Sequence, residues 1–562
     1  MTPRTLDELP AAAEAAGPSS RPAGSWWPGS WRPASRWDGA RVLRALAAVA
    51  GLAVIGTYVG IAVARIGFPG HLETLEENSL VEVHRLLAGQ QLYPAPSAGY
   101  VPDGYTPLYF AVSAAAASVL GQTYLPLRLV SLVASLACFA ILGRLVQRET
   151  GSRSAGLAAA GVLAATYFVT DTWFDVGRVD SLFLAFSIAG LYAARHARGT
   201  KGAIAAGLLL AAAFGTKQTG LAEGVAVLAA LAAGTRRRLA VPAAVTYAAV
   251  VGGSTLALGL ASHGWYVYYV FEQMSQHALS TSTAGQFWIG ELLPMLGIAI
   301  AAAALGARRV PLVLLAGCAA LVAESFAARS QASSNVNDLL PAFLAVALLA
   351  GLALGCRPAP GAAGRPDPGI KRRGPVAVAR RGLLRFKPWA PLAVSALVLA
   401  QIGVLAGGFR PSAAFPPHAD LVADQRLVAT ARALGGTVAI PADPGAAITA
   451  GRPPTEDQVA AADVLHAAGQ QAKADLTGSL AQAVNARKYS AIITEFGGDL
   501  RGFPTDLGSY YRRCPQTPPD GLLSVPFAAN GQALPVRVWL PIGQGSCAAV
   551  ARTLQTQETN HD

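Results

Sequence analysis

The chain of 562 residues is 53% hydrophobic and only 14% charged, and its formal net charge is +12. Soluble globular proteins usually carry about 25% charged residues, so the composition excludes an ordinary soluble domain and favours a polytopic membrane protein. The basic residues lie in short clusters between apolar segments, which is typical of cytoplasmic loops and argues against a surface that binds nucleic acid.

About eleven apolar segments are predicted to span the membrane as helices. Residues 1–40, rich in Pro, Ser and Trp, precede them and are expected to form a disordered cytoplasmic tail. Several segments are shorter than the roughly 20 residues that a span prefers. Together they define a predicted transmembrane domain over residues 41–409. In chain order the predicted spans are Ala45–Ala64, Leu129–Val146, Ala155–Thr170, Val179–Ala194, Ala203–Thr216, Thr219–Ala233, Leu239–Ala261, Phe287–Leu305, Val310–Ala328, Leu339–Leu354 and Ala390–Gly407.

The arginine distribution predicts the orientation of these spans. With a cytoplasmic N-terminus, every dense basic cluster falls on the cytoplasmic side, including a basic loop over residues 355–389. If Pro107–Gly121 also crossed the membrane, every later basic cluster would lie on the outer side. This segment is therefore expected to be a juxtamembrane or re-entrant helix inside a first outer loop over residues 67–127. An odd number of spans then puts residues 410–562 outside the membrane.

The composition changes at about Arg410, after the last predicted span. The stretches TVAIPAD, YSAIITEFG and VRVWLP are predicted strands, and a helix is predicted between the first two. Residues 410–562 are therefore expected to form a small extracytoplasmic α/β domain. Cys514 and Cys547 both lie in it and could form a disulfide in an oxidising compartment; two free thiols are the alternative.

Acidic and basic side chains gather at the predicted outer face. The stretch DVGRVDSLF, for example, places Asp175, Arg178 and Asp180 between two predicted spans. Charged groups at membrane depth are costly and by default indicate a functional site. Acids and cations gathered at one interface favour a site for an anionic, partly lipidic molecule.

The order of several motifs resembles the GT-C superfamily of polytopic glycosyltransferases, near its aminoarabinose-transferase and protein-mannosyltransferase-like branch. The resemblance covers about residues 72–354. It implies transfer of a sugar from a polyprenyl-phosphate carrier to an acceptor, which could be a cell-envelope glycan, a lipid or a protein, on the outer membrane face. The motifs are LEENSLVEVHRLLAGQQLYP, YTPLYF, LRLVSL, DVGRVDSLFLAF, FGTKQTG and SSNVNDLLPAFLAVALLAG.

The resemblance also implies an acidic catalytic base in the first outer loop. Glu77 matches the family's acidic position best, and Glu76 is the second choice. The structural alternative is that both acids only cap the start of a juxtamembrane helix. A base that takes the proton of the acceptor hydroxyl typically contributes about 10²–10⁴-fold to the rate.

Further side chains are candidates for substrate binding. Lys217 and Arg128 suit the donor phosphate, although Lys217 could instead snorkel to the interface. Asn335 and Asn337 offer hydrogen bonds to sugar hydroxyls. A divalent cation, Mg²⁺ or Mn²⁺, is compatible with the acids, but no ligand set is assigned. The predicted substrate-binding residues are Asp103, Tyr105, Arg128, Asp175, Arg178, Asp180, Lys217, Asn335 and Asn337.

We therefore expect an integral protein of the bacterial plasma membrane. Its expected partners are a polyprenyl-phosphate sugar, membrane lipids and a glycan, lipid or protein acceptor, and no nucleic acid.

The alternative is a membrane transporter or lipid flippase for an anionic lipid-linked substrate. That alternative predicts inverted repeats or paired broken helices, and the sequence shows neither. A cavity lined by Glu77, Asp175 and Lys217 would favour the transferase.

Overall fold

The described residues form a bundle of apolar helices and a small α/β domain at one end of it. The predicted tail before residue 36 and residues 356–388 of the predicted basic loop lie outside the described residues. The computed structural model describes residues 36–276, 279–306, 310–331, 334–355, 389–467, 469–495, 502–515, 524–525, 534–548 and 550.

Each predicted span coincides with a helix. In the described part, eight helices are long and apolar enough to cross a membrane by length and composition. The segments Arg153–Val169, Asp180–His196 and Gly220–Ala233 are shorter. The bundle helices are α1 (Arg36–Arg65), α2 (Glu76–Leu87), α3 (Leu108–Leu120), α4 (Tyr124–Thr150), α5 (Arg153–Ala165), α6 (Asp180–His196), α7 (Gly199–Thr216), α8 (Gly220–Ala233), α9 (Ala240–Ala261), α10 (Trp265–Val267), α11 (Thr281–Gly285), α12 (Leu293–Leu305), α13 (Leu312–Arg329), α14 (Leu340–Gly355) and α15 (Ala390–Gly407).

Glycine allows helix α5 to approach two neighbours closely. A Cβ atom added to Gly161 would collide with the backbone of Gly51 in α1, and one added to Gly156 would collide with the backbone of Gly143 in α4. Small residues at helix contacts let backbones approach closely in lipid, where the hydrophobic effect does not drive helices together. The abundant glycine of the sequence is thus part of how the bundle packs.

Two buried arginines fasten loops to one end of the bundle. Arg65, at the end of α1, donates from Nε and Nη2 to the two carboxylate oxygens of Asp175 at 2.8 and 2.6 Å. Arg128 in α4 binds both oxygens of Glu76 in the same bidentate way, at 2.8 and 2.7 Å. It also donates to the carbonyl of Phe68, at 2.6 Å. We call this end, which also holds Lys217, the ionic end.

The predicted cytoplasmic loops meet at the opposite end of the bundle. Arg195, at the end of α6, pairs with Glu149 of α4 at 2.9 Å. Arg236, before α9, donates to the carbonyl of Arg195 at 2.9 Å. The structure therefore groups the basic clusters of three loops at one end, which we call the basic end.

The α/β domain contains a short mixed sheet. The strand order is β1-β2-β5-β3, with β4 also paired to β5. Strands β1 and β2 are parallel, and every pairing with β5 is antiparallel. The three predicted strands are confirmed as β1, β2 and β5, whereas the single predicted helix is two helices, α18 and α19. The elements are α16 (His418–Leu434), β1 (Val438–Ala439), α17 (Pro444–Thr449), α18 (Gln458–His466), α19 (Gln470–Asn485), β2 (Ala491–Glu495), β3 (Tyr511–Arg513), β4 (Ser524–Val525) and β5 (Leu534–Pro541).

The cysteines of this domain are paired. Cys514, directly after β3, forms a disulfide with Cys547, which follows β5. The sequence left a disulfide and two free thiols open, and the structure selects the disulfide. Cys138 and Cys318 are free and buried in the helix bundle.

We expect Asp175→Asn to destabilise the protein. The Arg65 and Asp175 side chains are 4% and 2% exposed, so the substitution leaves a buried guanidinium without its carboxylate. Breaking a buried ion pair costs about 3–5 kcal/mol. Asp171→Asn, at an exposed position four residues earlier, is the matched control. Thermal unfolding in detergent measures both, and an unchanged midpoint for Asp175→Asn would show that this pair does not stabilise the fold.

Candidate functional site

A cavity of about 630 Å³ lies at the ionic end, between the bundle and the α/β domain. Small-molecule sites typically measure about 300–1,000 Å³. The walls come from the loop after α1, the α5–α6 loop, the turn between α7 and α8, helix α13 and helix α18. The polar side chains that line it include Glu73, Tyr105, Arg178, Lys217, Glu324 and Asn337.

Arg178 lines this cavity and has unused hydrogen-bond donors. The side chain is 2% exposed, and its Nη2 donates to the Tyr105 hydroxyl at 3.0 Å. Its Nε and Nη1 have no hydrogen-bond partner within the described residues. The rings of Tyr105 and Trp173 lie within 5.4 and 5.9 Å of the guanidinium carbon. Buried donors require acceptors, and the guanidinium fork matches the geometry of a phosphate.

Lys217 adds a second cation, held by two carboxylates. It directly follows α7, and its Nζ lies 2.9 Å from Asp180 and 3.2 Å from Asp338. Asp180 is oriented in turn by Trp173, whose Nε1 donates at 2.9 Å, and by Asn337, whose Nδ2 donates at 3.3 Å. An ammonium has three donors, so two carboxylates leave one for a ligand.

Glu73 is the carboxylate of the first long loop that lines the cavity. Its Oε2 lies 3.8 Å from Nε of Arg178 and accepts from the backbone N–H of Leu75 at 3.0 Å. Burial raises the pKa of Glu73, although Arg178 and the hydrogen bonds from Leu75 and Thr74 oppose that shift. A carboxylate with a raised pKa in a cleft suits a general base, because it holds a proton more readily near neutral pH.

The two glutamates predicted to be catalytic do not lie among the residues that line the cavity. Glu76 forms an ion pair with Arg128. It also accepts hydrogen bonds from the backbone N–H groups of Leu72 and Gly177, both at 2.6 Å. Glu77 instead faces the α/β domain, where a Cβ atom added to Gly445 would lie 3.2 Å from its Cβ. Adjacent residues of a helix face different directions, so the two acids have different surroundings. The geometry thus favours Glu73 over either predicted base.

Three predicted substrate-binding residues also have structural partners away from the cavity wall. Asp103 accepts from Asn78 at 2.7 Å, and its backbone N–H donates to Glu82 at 2.7 Å. Arg128 and Asp175 belong to the two buried pairs described above. Asp180 acts from behind the wall, through Lys217. The predicted residues that the structure does place on the cavity wall are Tyr105, Arg178, Lys217, Asn335 and Asn337.

Three acids of the site are matched with cations. Glu73 faces Arg178, and Asp180 and Asp338 face Lys217. In the part of the chain that the structure describes, no group of three or more His, Cys, Asp or Glu side chains is placed to hold a metal ion. The role of Mg²⁺ or Mn²⁺ therefore stays a prediction without a ligand set, and we derive no step through a metal.

The architecture is that of a polytopic membrane protein with a GT-C fold. It is similar to the crystal structure of ArnT from Cupriavidus metallidurans bound to undecaprenyl phosphate, with a TM-score of 0.55 and 14% identity over 88% of this chain and 98% of that chain. The apo state of ArnT from Cupriavidus metallidurans gives a TM-score of 0.53 and 14% identity over 87% and 97%.

A sequence match covers the centre of the site. Residues 103–265 match the family described as dolichyl-phosphate-mannose-protein mannosyltransferase, and this range includes Tyr105, Arg178 and Lys217. No curated protein matches the sequence significantly. The GT-C resemblance predicted from the motifs is confirmed, as is an integral membrane protein with a small C-terminal sheet.

Ionisation of the adjacent residues Glu76 and Glu77 is expected to have opposite effects on the stability of the protein. Burial, reinforced by the carboxylates of Asp457 and Asp443, raises the pKa of Glu77 well above its ordinary value of 4.5. Burial also opposes ionisation of Glu76, but Arg128 outweighs it and lowers the pKa of Glu76. Ionised Glu77 therefore costs stability as pH rises above 4.5. Ionised Glu76 contributes stability above 4.5 that is lost as pH falls through its lowered pKa.

We expect Glu77→Gln to raise the thermal midpoint at about pH 8 and to leave it nearly unchanged at about pH 4. Glu76→Gln should lower the midpoint at about pH 8, because Arg128 loses its partner, and this loss should shrink as the pH falls. Thermal unfolding of both variants across this pH range measures the effect. A lower midpoint for Glu77→Gln at high pH would contradict the buried, like-charged setting of Glu77.

Proposed function

We propose that this protein is a membrane glycosyltransferase that moves a sugar from a polyprenyl-phosphate donor to an acceptor on the outer face of the membrane. The observation that carries the proposal is the buried guanidinium of Arg178, with free donors, beside Lys217 and Glu73 in one cavity. Two cations suit a lipid phosphate, and one carboxylate suits proton removal from an acceptor hydroxyl. The ArnT structure that shares this fold contains undecaprenyl phosphate, which supports the choice of donor.

The cavity also has an apolar side suited to the lipid part of such a donor. Val270 and Phe271 lie in a π-helical turn, Tyr268–Gln273, that continues α10, and both line the cavity. π-Helical turns are frequent at functional sites. On this proposal the polyprenyl chain lies along the apolar side and its phosphate meets Arg178 and Lys217.

The transfer itself is a displacement at the anomeric carbon. Glu73 takes the proton of the acceptor hydroxyl while the hydroxyl oxygen forms the new bond to the sugar. The bond between the anomeric carbon and the phosphate oxygen breaks, and the polyprenyl phosphate leaves with the electron pair. Arg178 and the free donor of Lys217 stabilise the charge that develops on the leaving phosphate. Asp180 and Asp338 position Lys217 for this role.

We expect Glu73→Gln, assayed below its thermal midpoint, to lower the transfer rate by at least about 10²-fold, because the amide cannot accept the proton. Purified protein incubated with a panel of polyprenyl-phosphate sugars provides the assay. Glu77→Gln is the matched control, four residues along the same segment, and should retain activity. If Glu77→Gln lost activity and Glu73→Gln kept it, the base would be Glu77, as the family resemblance implies.

A second assay, in proteoliposomes, separates a transferase from a flippase or transporter. Movement of a polyprenyl-phosphate lipid between leaflets in proteoliposomes, without sugar transfer from any donor of the panel, would favour the flippase or transporter. Arg178→Ala should reduce transfer from every donor, because each carries the same phosphate.

We further propose that the ionic end faces outside and the basic end faces the cytoplasm. Clusters of arginine favour the cytoplasmic side, and a disulfide in the α/β domain suits an oxidising compartment. This orientation agrees with the predicted location in a bacterial plasma membrane.

Cysteine labelling in intact cells tests the orientation. Ser509→Cys in the α/β domain and Thr235→Cys between α8 and α9 are both exposed positions. Both would be made in a chain whose Cys356 is Ser. We expect a membrane-impermeant maleimide to label Ser509→Cys in intact cells, and Thr235→Cys only after permeabilisation. The reverse pattern would overturn the orientation and with it an outer-face reaction.

A further inference from the structure

Helix α13 brings to the cavity a carboxylate that the proposed transfer does not use. Glu324 lines the cavity, and the residue is only 6% exposed. Neither of its carboxylate oxygens has a hydrogen-bond partner within the described residues. A buried polar group without a partner is rare in native proteins, and an ionisable residue inside a membrane-spanning helix is costly. A ligand in the cavity would supply the missing partners.

The place of Glu324 indicates which part of a donor would reach it. Its flanking residues on the cavity wall, Ala323, Ala327 and Ala328, have no polar side-chain atoms. Glu324 interacts electrostatically with Glu223 of α8, with Lys217 and with Asp338. Within the described residues it makes no hydrogen bond to Lys217, which binds Asp180 and Asp338 instead. If the donor phosphate lies at Lys217, its two substituents are the polyprenyl chain and the sugar, and only the sugar has hydroxyl groups that can donate to Glu324.

We propose that Glu324 is a specificity-determining residue that accepts hydrogen bonds from hydroxyl groups of the donor sugar. This inference rests on the proposed function. A carboxyl group keeps acceptor oxygens in both its ionised and its protonated forms, so it recognises a hydroxyl in either state. An ammonium group would require the ionised form, which is the costly form inside a membrane. A site built to bond a hydroxyl strongly rejects an analogue that lacks it, because the buried group is then left unpaired.

Binding of bare and sugar-bearing lipids to the purified protein separates this inference from the proposed function. The probes are undecaprenyl phosphate, a panel of undecaprenyl-phosphate pentoses and hexoses, and deoxy analogues of the tightest binder. The variants are Glu324→Leu and Glu324→Gln. Glu223→Gln is the control, because Glu223 is buried on the neighbouring helix α8 and interacts electrostatically with Glu324 but does not line the cavity.

We expect Glu324→Leu to bind bare undecaprenyl phosphate like the unaltered protein and to bind the sugar-bearing lipid at least about tenfold more weakly. Glu324→Gln, which keeps an acceptor oxygen, should bind it within about threefold of the unaltered protein. Glu223→Gln should bind both lipids normally. In the unaltered protein, one deoxy analogue should bind at least about tenfold more weakly than the parent sugar, and Glu324→Leu should remove that difference.

Three results would overturn the inference. Normal binding of the sugar-bearing lipid by Glu324→Leu would place the sugar elsewhere. A loss as large in Glu324→Gln as in Glu324→Leu would show that the charge is needed and that the ligand is not a hydroxyl. Failure of the unaltered protein to bind bare undecaprenyl phosphate would overturn the proposed donor, and this inference with it. Equal binding of every deoxy analogue by the unaltered protein would also overturn the inference, and this comparison needs no variant, so the test stands even if Glu324→Leu fails to fold.

Discussion

The cost of burying charge determines how the ionic end is built. An isolated charge away from water costs several kcal/mol, so each buried cation must find acceptors. Arg65 and Arg128 meet this requirement with bidentate carboxylates and with backbone carbonyls. In doing so they connect the ends of α1 and α4 to the loops before α2 and α6. The pairs thereby hold in place the loops from which the cavity is formed.

The same constraint separates structural charges from those available to a ligand. In DVGRVDSLF the three charged residues have three different situations. Asp175 forms an ion pair with Arg65, and Asp180 forms one with Lys217. Arg178 retains unused N–H donors in the described part of the chain, and the residue lines the cavity. Charged residues of one short motif thus divide between two carboxylates that are paired with cations and one guanidinium with hydrogen-bond donors to spare.

The spans and the principal strands could be predicted from the sequence because hydropathy and periodicity are local properties. The partners of the acids could not, because they are distant in the chain. Arg128 and Glu76 are 52 residues apart, and Arg65 and Asp175 are 110 apart. Glu73, Glu76 and Glu77 form one acidic stretch in the sequence. Only the three-dimensional structure shows that Glu73 lines the cavity, that Glu76 pairs with Arg128 and that Glu77 faces the α/β domain.

The α/β domain completes the cavity, and this affects how two substrates would meet. Val459 and Asp463 of α18 line the cavity together with Val270 and Phe271 of the apolar side. On the proposed function, the lipid donor occupies the apolar side, and the acceptor must reach the same cavity. Holding two reactants in line contributes more to the rate than either contact alone. On the proposed function, the α/β domain would therefore help to align the two substrates through its part of the cavity wall, while the bundle holds the phosphate and the base.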